Sequence, residues 1–242
     1  MREISGIVVS ITDYKENDAL VHVLTREEGT LTLYVRGFQK ITSKNAPSIM
    51  PFLYGEFMIE DNDVKSILNL RSVQTKQLFR HIREDLALQS VAVCLCDYAK
   101  YASNEMSELI FDLLYEGLCS LEEDNDAILV LLVYLSQLCR IFGIAPYVDG
   151  CVVCGENSGI CSVSVSDGGF VCEECFDEGV RKTRDFLWLY RAVNKAKYEN
   201  IKQISMNKAV KLDVLMFVFD FIEEHTSFVC KGRDFVLETL HL

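Results

Sequence analysis

The chain has 242 residues, half of them apolar and a quarter charged, with a formal net charge of −12. This composition excludes a disordered or fibrous protein. No apolar run approaches the roughly 20 residues that span a bilayer, and the opening MREISGIVVSITDYKEND alternates like a strand and carries an early acid, unlike a secretory leader. A soluble, intracellular chain with no membrane contact is predicted, folded as one large domain or two to three small ones.

Residues 1–75 read as short strands: GIVVSI, ALVHVLTR, GTLTLYVRG, YGEFMIE and VKSILNLRS are rich in Val, Ile, Leu, Thr and Tyr, and turn residues separate most of them. Thr30-Leu31-Thr32-Leu33-Tyr34-Val35 has the period of two of a half-buried strand. Five such strands, with one longer linker at FQKITSKNAPSIMP, suit a small closed barrel of the OB type, a plain antiparallel sheet being the alternative.

From residue 76 the texture changes. QLFRHIREDLALQSVAVCLCDYAKYAS, SELIFDLLYEGLCSL and DAILVLLVYLSQLCRIFG repeat apolar residues every three or four positions, with Ser107 and Asp126 as expected caps and Gly143 and Pro146 closing the third helix. A second helical stretch covers 183–227, with VLMFVFDFIEEH as its most buried part. The predicted fold class is α+β multidomain: an OB-fold β-barrel (1–75), then an α-helical domain (76–242) interrupted by a cysteine-rich insertion (148–180).

That insertion carries the strongest motif. Cys151-x-x-Cys154 and Cys172-x-x-Cys175 are separated by a segment containing Asp167-Gly168-Gly169, a hairpin-turn signal that would fold one pair back onto the other. Two such pairs are the four-cysteine pattern of a structural, tetrahedral Zn2+ site. Gly155 is expected where the backbone runs close to the metal. Two disulfides or four ordinary thiols are the alternatives, and Cys161 lies between the pairs as a possible substitute ligand. His22, His81, His225 and His241 all lie far from this stretch in sequence, so an open catalytic metal position is not expected. Cys94, Cys96, Cys119, Cys139 and Cys230 sit in apolar or helical contexts and read as small buried thiols.

Charge is unevenly spread. Residues 1–80 carry ten Lys+Arg and ten Asp+Glu, residues 81–150 carry three against twelve, and residues 151–242 carry eleven against fourteen. Between Glu28 and Glu56 there is no acid, and Arg36, Lys40 and Lys44 are interleaved with Tyr34 and Phe38. Cations that track phosphates beside stacking aromatics suit a nucleic-acid surface, with a solvated loop as the alternative. Arg26 and Arg71 are weaker candidate contacts. A second basic stretch, 181–211, sets nine Lys+Arg against two acids. The acidic middle segment and its apolar helices better suit a protein partner. The sequence offers no phosphate-cradling glycine loop, His-based metal motif or Ser-His-Asp set, so no enzymatic activity is expected.

GIVVSITDYKENDALVHVLTREEGTLTLYVRGFQKITSK resembles the opening of the bacterial RecO family of recombination mediators, on Asp13-Tyr14, Glu16, Asp18, Leu24-Thr25, Gly29 and Arg36-Gly37 followed by Lys40 and Lys44. CVVCG, GG and the second C-x-x-C are similar to that family's zinc insertion, and KGRDFVLETL to its closing segment. The resemblance covers the whole chain in order. It implies binding of single- and double-stranded DNA, annealing of complementary strands and loading of recombinase onto strands coated with single-strand-binding protein. It further implies RecR and single-strand-binding protein as partners, and a cytoplasmic, nucleoid-associated place in a bacterium. A protein-only scaffold acting through the apolar helices is the competing expectation.

Overall fold

The computed structural model describes residues 1–40, 49–60 and 67–241. The chain forms two compact units, Met1–Glu122 and Glu123–Leu242.

In the first unit, β1 (Arg2–Tyr14), β2 (Asp18–Thr25), β3 (Gly29–Val35), β4 (Tyr54–Glu60) and β5 (Ile67–Gln77) close into a barrel in the order β1-β2-β3-β5-β4. All neighbours are antiparallel except β3 and β5, which pair in parallel. Closure requires β1 to serve two partners. Its first half pairs with β4 and its second half with β2, and Gly6 belongs to both registers. A Cβ at Gly6 would stand 2.3 Å from Val23 Cγ1 and 2.8 Å from the Leu24 carbonyl oxygen. A residue without a side chain is needed where the sheet bends this sharply. The inward positions, among them Val21, Val23, Leu33, Val35, Phe57 and Ile59, form one apolar core, as the period of two predicts.

The same unit contains α1 (Arg80–Glu84), α2 (Leu86–Ala99) and α3 (Ser107–Glu122). The compact units therefore divide at 122/123, although the chain changes from strand to helix near residue 77. The reason is packing. Tyr54 of the barrel meets the rings of Phe111 and Tyr115 at 6.1 and 5.3 Å, and the Tyr115 hydroxyl donates to Gln77 Oε1 at 2.9 Å. Glu122, at the end of α3, accepts from the backbone N–H groups of Arg80, His81 and Ile82, satisfying the free amides of α1. The expected single helix over 77–103 is split, because Asp85 is extended and caps α2 by accepting from the Leu88 N–H at 2.9 Å. Ser107 does not cap α3 as expected. It is buried, and its hydroxyl donates to the carbonyl oxygens of Arg26 and Asn104.

The second unit is built on α4 (Ala127–Ile141), which is buried at nearly every position from Ile128 to Cys139. Asp126 caps it by accepting from the Leu129 N–H, as predicted, and also pairs with the mostly buried Lys211. Around α4 lie α5 (Arg184–Lys195) and α6 (Lys208–His225), capped by Thr183 and Asn207, and then α7 (Arg233–His241). Between α4 and α5 the chain makes a two-stranded hairpin, β6 (Ile160–Ser164) and β7 (Gly169–Cys172), turning through Asp167-Gly168. Among the described residues no helix is long and apolar enough to cross a membrane.

Candidate metal centre and nucleic-acid interface

The hairpin brings the two cysteine pairs together. Cys172 ends β7 opposite Ile160, while the segment from Cys151 to Glu156 folds into a tight loop in which the Gly155 N–H donates to the Cys151 carbonyl and the Cys151 N–H to that of Glu156. Gly155 has φ +80°, a left-handed backbone conformation that favours glycine at this turn. The Val152 N–H donates to the Phe170 carbonyl oxygen at 2.7 Å, fastening this loop to the hairpin.

The Sγ atoms of Cys151, Cys154, Cys172 and Cys175 all lie within 4.8 Å of one another, and those of Cys154 and Cys172 are 3.7 Å apart. A tetrahedron with metal–sulfur bonds of about 2.3 Å has edges of about 3.8 Å. The spacing fits one shared ion. It is far from the roughly 2.05 Å of a disulfide, and no cysteine among the described residues is in a disulfide. Burial works against ionising Cys151, but backbone N–H groups of Cys154, Cys172 and Val153 outweigh it and lower that thiol to about 6. Cys175 is pushed up to about 12 by hydrogen bonds with Cys154 and Cys172. Four adjacent thiols cannot all ionise unless a cation neutralises them. Cys161 is not part of the cluster; it lies at the β6–β7 irregularity between Ile160 and Ser162. With four sulfurs and no histidine or water-bearing position in the cluster, the centre suits a structural ion.

The hairpin is tied to its own unit at several points. The Tyr147 N–H donates to the Gly168 carbonyl, the Ser162 hydroxyl to that of Val180, and the His225 ring nitrogen lies 2.6 Å from the Val165 carbonyl oxygen. The rings of Phe170 and Tyr190 pack 5.9 Å apart.

At one end of the barrel, strand pairing gathers residues from β1, β2 and β3. Asp18 accepts from the Tyr34 hydroxyl at 2.5 Å and from the Gly37 N–H at 2.7 Å. The Gly37 amide, and then the Tyr34 hydroxyl, hold its carboxyl below the usual value. The Gln39 N–H donates to the Asn17 carbonyl, so the loop bearing Arg36 and Lys40 is fixed against the β1–β2 turn. Tyr14 meets Tyr34 edge-on at 6.1 Å, and the Lys15 ammonium stands 5.2 and 5.6 Å from their ring centres. Arg36 and Lys40 are exposed and make no ion pair among the described residues. Tyr14 and Lys15 were not singled out as contacts in the sequence. Their link to Arg36 depends on register, because Tyr14 pairs with Asp18 on β2 and Ala19 with Val35 on β3.

The other expected contacts are placed differently. Lys44 lies outside the described residues. Phe38 is half-buried and packs against the barrel core. Arg26 is engaged by Asp112 and Glu108 and stands over the Phe111 ring, and Arg71 pairs with Glu60. Part of the basic stretch 181–211 is engaged elsewhere. Arg181 pairs with Glu173, Lys182 lies over the rings of Phe186 and Phe217, and Lys211 is committed to Asp126.

Comparison with known proteins places this arrangement. Residues 1–79 match the family model described as Recombination protein O N terminal, and residues 83–231 match the one described as Recombination protein O C terminal. The DNA repair protein RecO of Bacillus pumilus (strain SAFR-032) is 28% identical over 236 residues, which is 96% of this chain and 91% of that protein. DNA repair protein RecO of Bacillus subtilis (strain 168) is 26% identical over 239 residues, covering 96% and 92%, and that of Listeria monocytogenes (strain ATCC BAA-679 / EGD-e) is 24% identical over 243 residues, covering 98% and 94%. A barrel followed by helices, a four-cysteine cluster among those helices and family matches along nearly the whole length agree: the chain belongs to the RecO family of DNA repair proteins.

Proposed function

We propose that this chain is a non-enzymatic recombination mediator. It binds single- and double-stranded DNA, anneals complementary strands and helps load recombinase onto strands coated with single-strand-binding protein, with RecR and that protein as partners in the bacterial cytoplasm and nucleoid. The observation that carries the reading is the barrel end, where Lys15 stands over Tyr14 and Tyr34 and the exposed Arg36 and Lys40 lie on the adjoining loop, held by Asp18 through the Gly37 N–H. Exposed cations neutralise phosphates and release their counterions, while tyrosine faces accept unpaired bases. Neutralising two strands on one protein lowers their mutual repulsion, which is the barrier to annealing. The four thiolates hold Zn2+ as a structural ion that fastens the hairpin.

The test is fluorescence anisotropy of a labelled single-stranded oligonucleotide across a salt series. Replacing Arg36 and Lys40 by Ala should weaken binding and flatten the slope of log K against log salt by about 1.4, two phosphate contacts at about 0.7 each. An unchanged slope would remove the barrel end from the assignment. A protein-only scaffold is favoured by one observation, the exposed Leu109 on α3 beside Glu105, Glu108 and Glu116. That reading prevails if the parent chain fails to bind DNA at low salt while still binding its protein partners.

A further inference from the structure

The chain contains one tryptophan, Trp188, and half of its surface is exposed. The other large aromatics of α5, Phe186 and Tyr190, are only 4% and 1% exposed. Burial therefore gives no account of an indole on the outer face. Successive helical residues are rotated by about 100°, so Arg184, Trp188, Arg191 and Lys195 fall within an arc of about 60°. All four are exposed. Asp185, the helix's one acid, lies about 100° from Arg184, outside that stripe. At a rise of 1.5 Å per residue the stripe is about 16 Å long, with cations at both ends and the indole between them.

The charge of the face is restrained by one residue. Asp149 pairs with Arg191 at 3.3 Å and with Lys195. These pairs are exposed and so contribute little to stability, which leaves the cations open to exchange a carboxylate for a phosphate. Arg184 makes no ion pair among the described residues. Asp149 stands two residues before Cys151, in the chain that enters the metal loop.

We propose that the outer face of α5, formed by Arg184, Trp188, Arg191 and Lys195, is a second binding surface for single-stranded DNA, with Trp188 as its stacking platform and Asp149 as the residue that limits its affinity. This rests on the reading of the chain as a DNA-binding mediator and deepens it, because annealing requires one protein to hold two strands. An indole flanked by cations selects single strands, since only an unpaired base can present its face to it.

Having one tryptophan supplies a direct readout. The full-length protein is titrated with an unlabelled oligothymidylate at low salt while tryptophan emission is followed, and binding is measured in parallel by anisotropy of the labelled strand. The emission should be quenched to saturation, and the quench should be reversed by salt. Trp188→Ala, which removes an exposed side chain, should weaken binding at this face by about five-fold or more, and Trp188→Phe should restore most of it. Asp149→Ala should tighten binding, an effect that a purely structural role for the face would not produce. Binding with neither quenching nor any effect of Trp188→Ala overturns the proposal and leaves the barrel reading intact. Quenching that persists while the Arg36→Ala/Lys40→Ala chain binds as tightly as its parent upholds the α5 face and overturns the barrel reading. Quenching by an acidic peptide but not by the oligonucleotide overturns the proposal and assigns the face to a protein partner. No oligonucleotide binding at low salt overturns both.

Discussion

The metal centre and the barrel end are both small clusters of polar side chains, but they are assembled in opposite ways. Cys151, Cys154, Cys172 and Cys175 come from one segment of chain, folded back by a single hairpin. Tyr14, Lys15, Tyr34, Arg36 and Lys40 come from two strands, β1 and β3, and the loops that follow them, and Asp18 on β2 ties β3 to the second loop. A site made from local sequence has a small core, with Cys151, Val171 and Cys172 as its buried cluster, and an ion held by the four sulfurs would fasten it. A site made from a closed barrel takes its shape from a dozen buried apolar residues and needs no ion.

The largest expected effect tests this contrast. Cys151→Ser or Cys172→Ser should release zinc and lower the melting temperature by about 10 °C or more, because metal binding at such a site is folding free energy. Cys161→Ser should leave zinc stoichiometry unchanged. Full zinc in the first two variants, measured by a chromogenic chelator after unfolding, would contradict the ligand set. Chelation should spare the barrel end, whose anisotropy signal would then persist with its salt slope intact.

A smaller effect follows from Asp18. Its carboxyl is held below the ordinary aspartate value by the Gly37 amide and the Tyr34 hydroxyl. A group with a lowered folded value stabilises above its unfolded value, and the contribution is lost as pH falls through the folded one. Protection of the Gly37 amide, its exchange measured relative to the intrinsic rate at each pH, should therefore hold down to about pH 4 and fall only below it. Protection already lost near pH 6 would mean that Asp18 does not anchor the loop.

The smallest effect separates cations that look alike in sequence. Arg26→Ala should change DNA affinity by about two-fold or less, since Asp112 and Glu108 already neutralise the guanidinium and exposed pairs contribute little. Its salt slope should match that of the parent, in contrast to the Arg36→Ala/Lys40→Ala chain. A loss as large as in that chain would erase the distinction drawn from the ion pairs.

Sequence legibility followed how far each feature reaches along the chain. The strand pattern, the cysteine knuckles and the Asp126 cap are all written within a few residues, and each stands where its residues placed it. Ser107 has the composition of a cap and a different role, because Arg26 of the barrel supplies a carbonyl for its hydroxyl from 81 residues away. Gly155 stands at a φ of +80°, a requirement for glycine that the tertiary backbone reveals and composition does not.

The sequence by itself determined the order of barrel, helices and metal insertion, because period-two and period-3.6 patterning and paired cysteines are local signals. Only the tertiary structure decided that α1–α3 pack with the barrel, that Lys15 and Tyr14 stand beside Tyr34 and that Arg26 is neutralised by α3. It also decided that Asp149 meets Arg191 and Lys195 across more than 40 residues. Each of these depends on which surfaces meet once the apolar faces are buried, and the position of a charge along the chain carries no record of the charge that will face it.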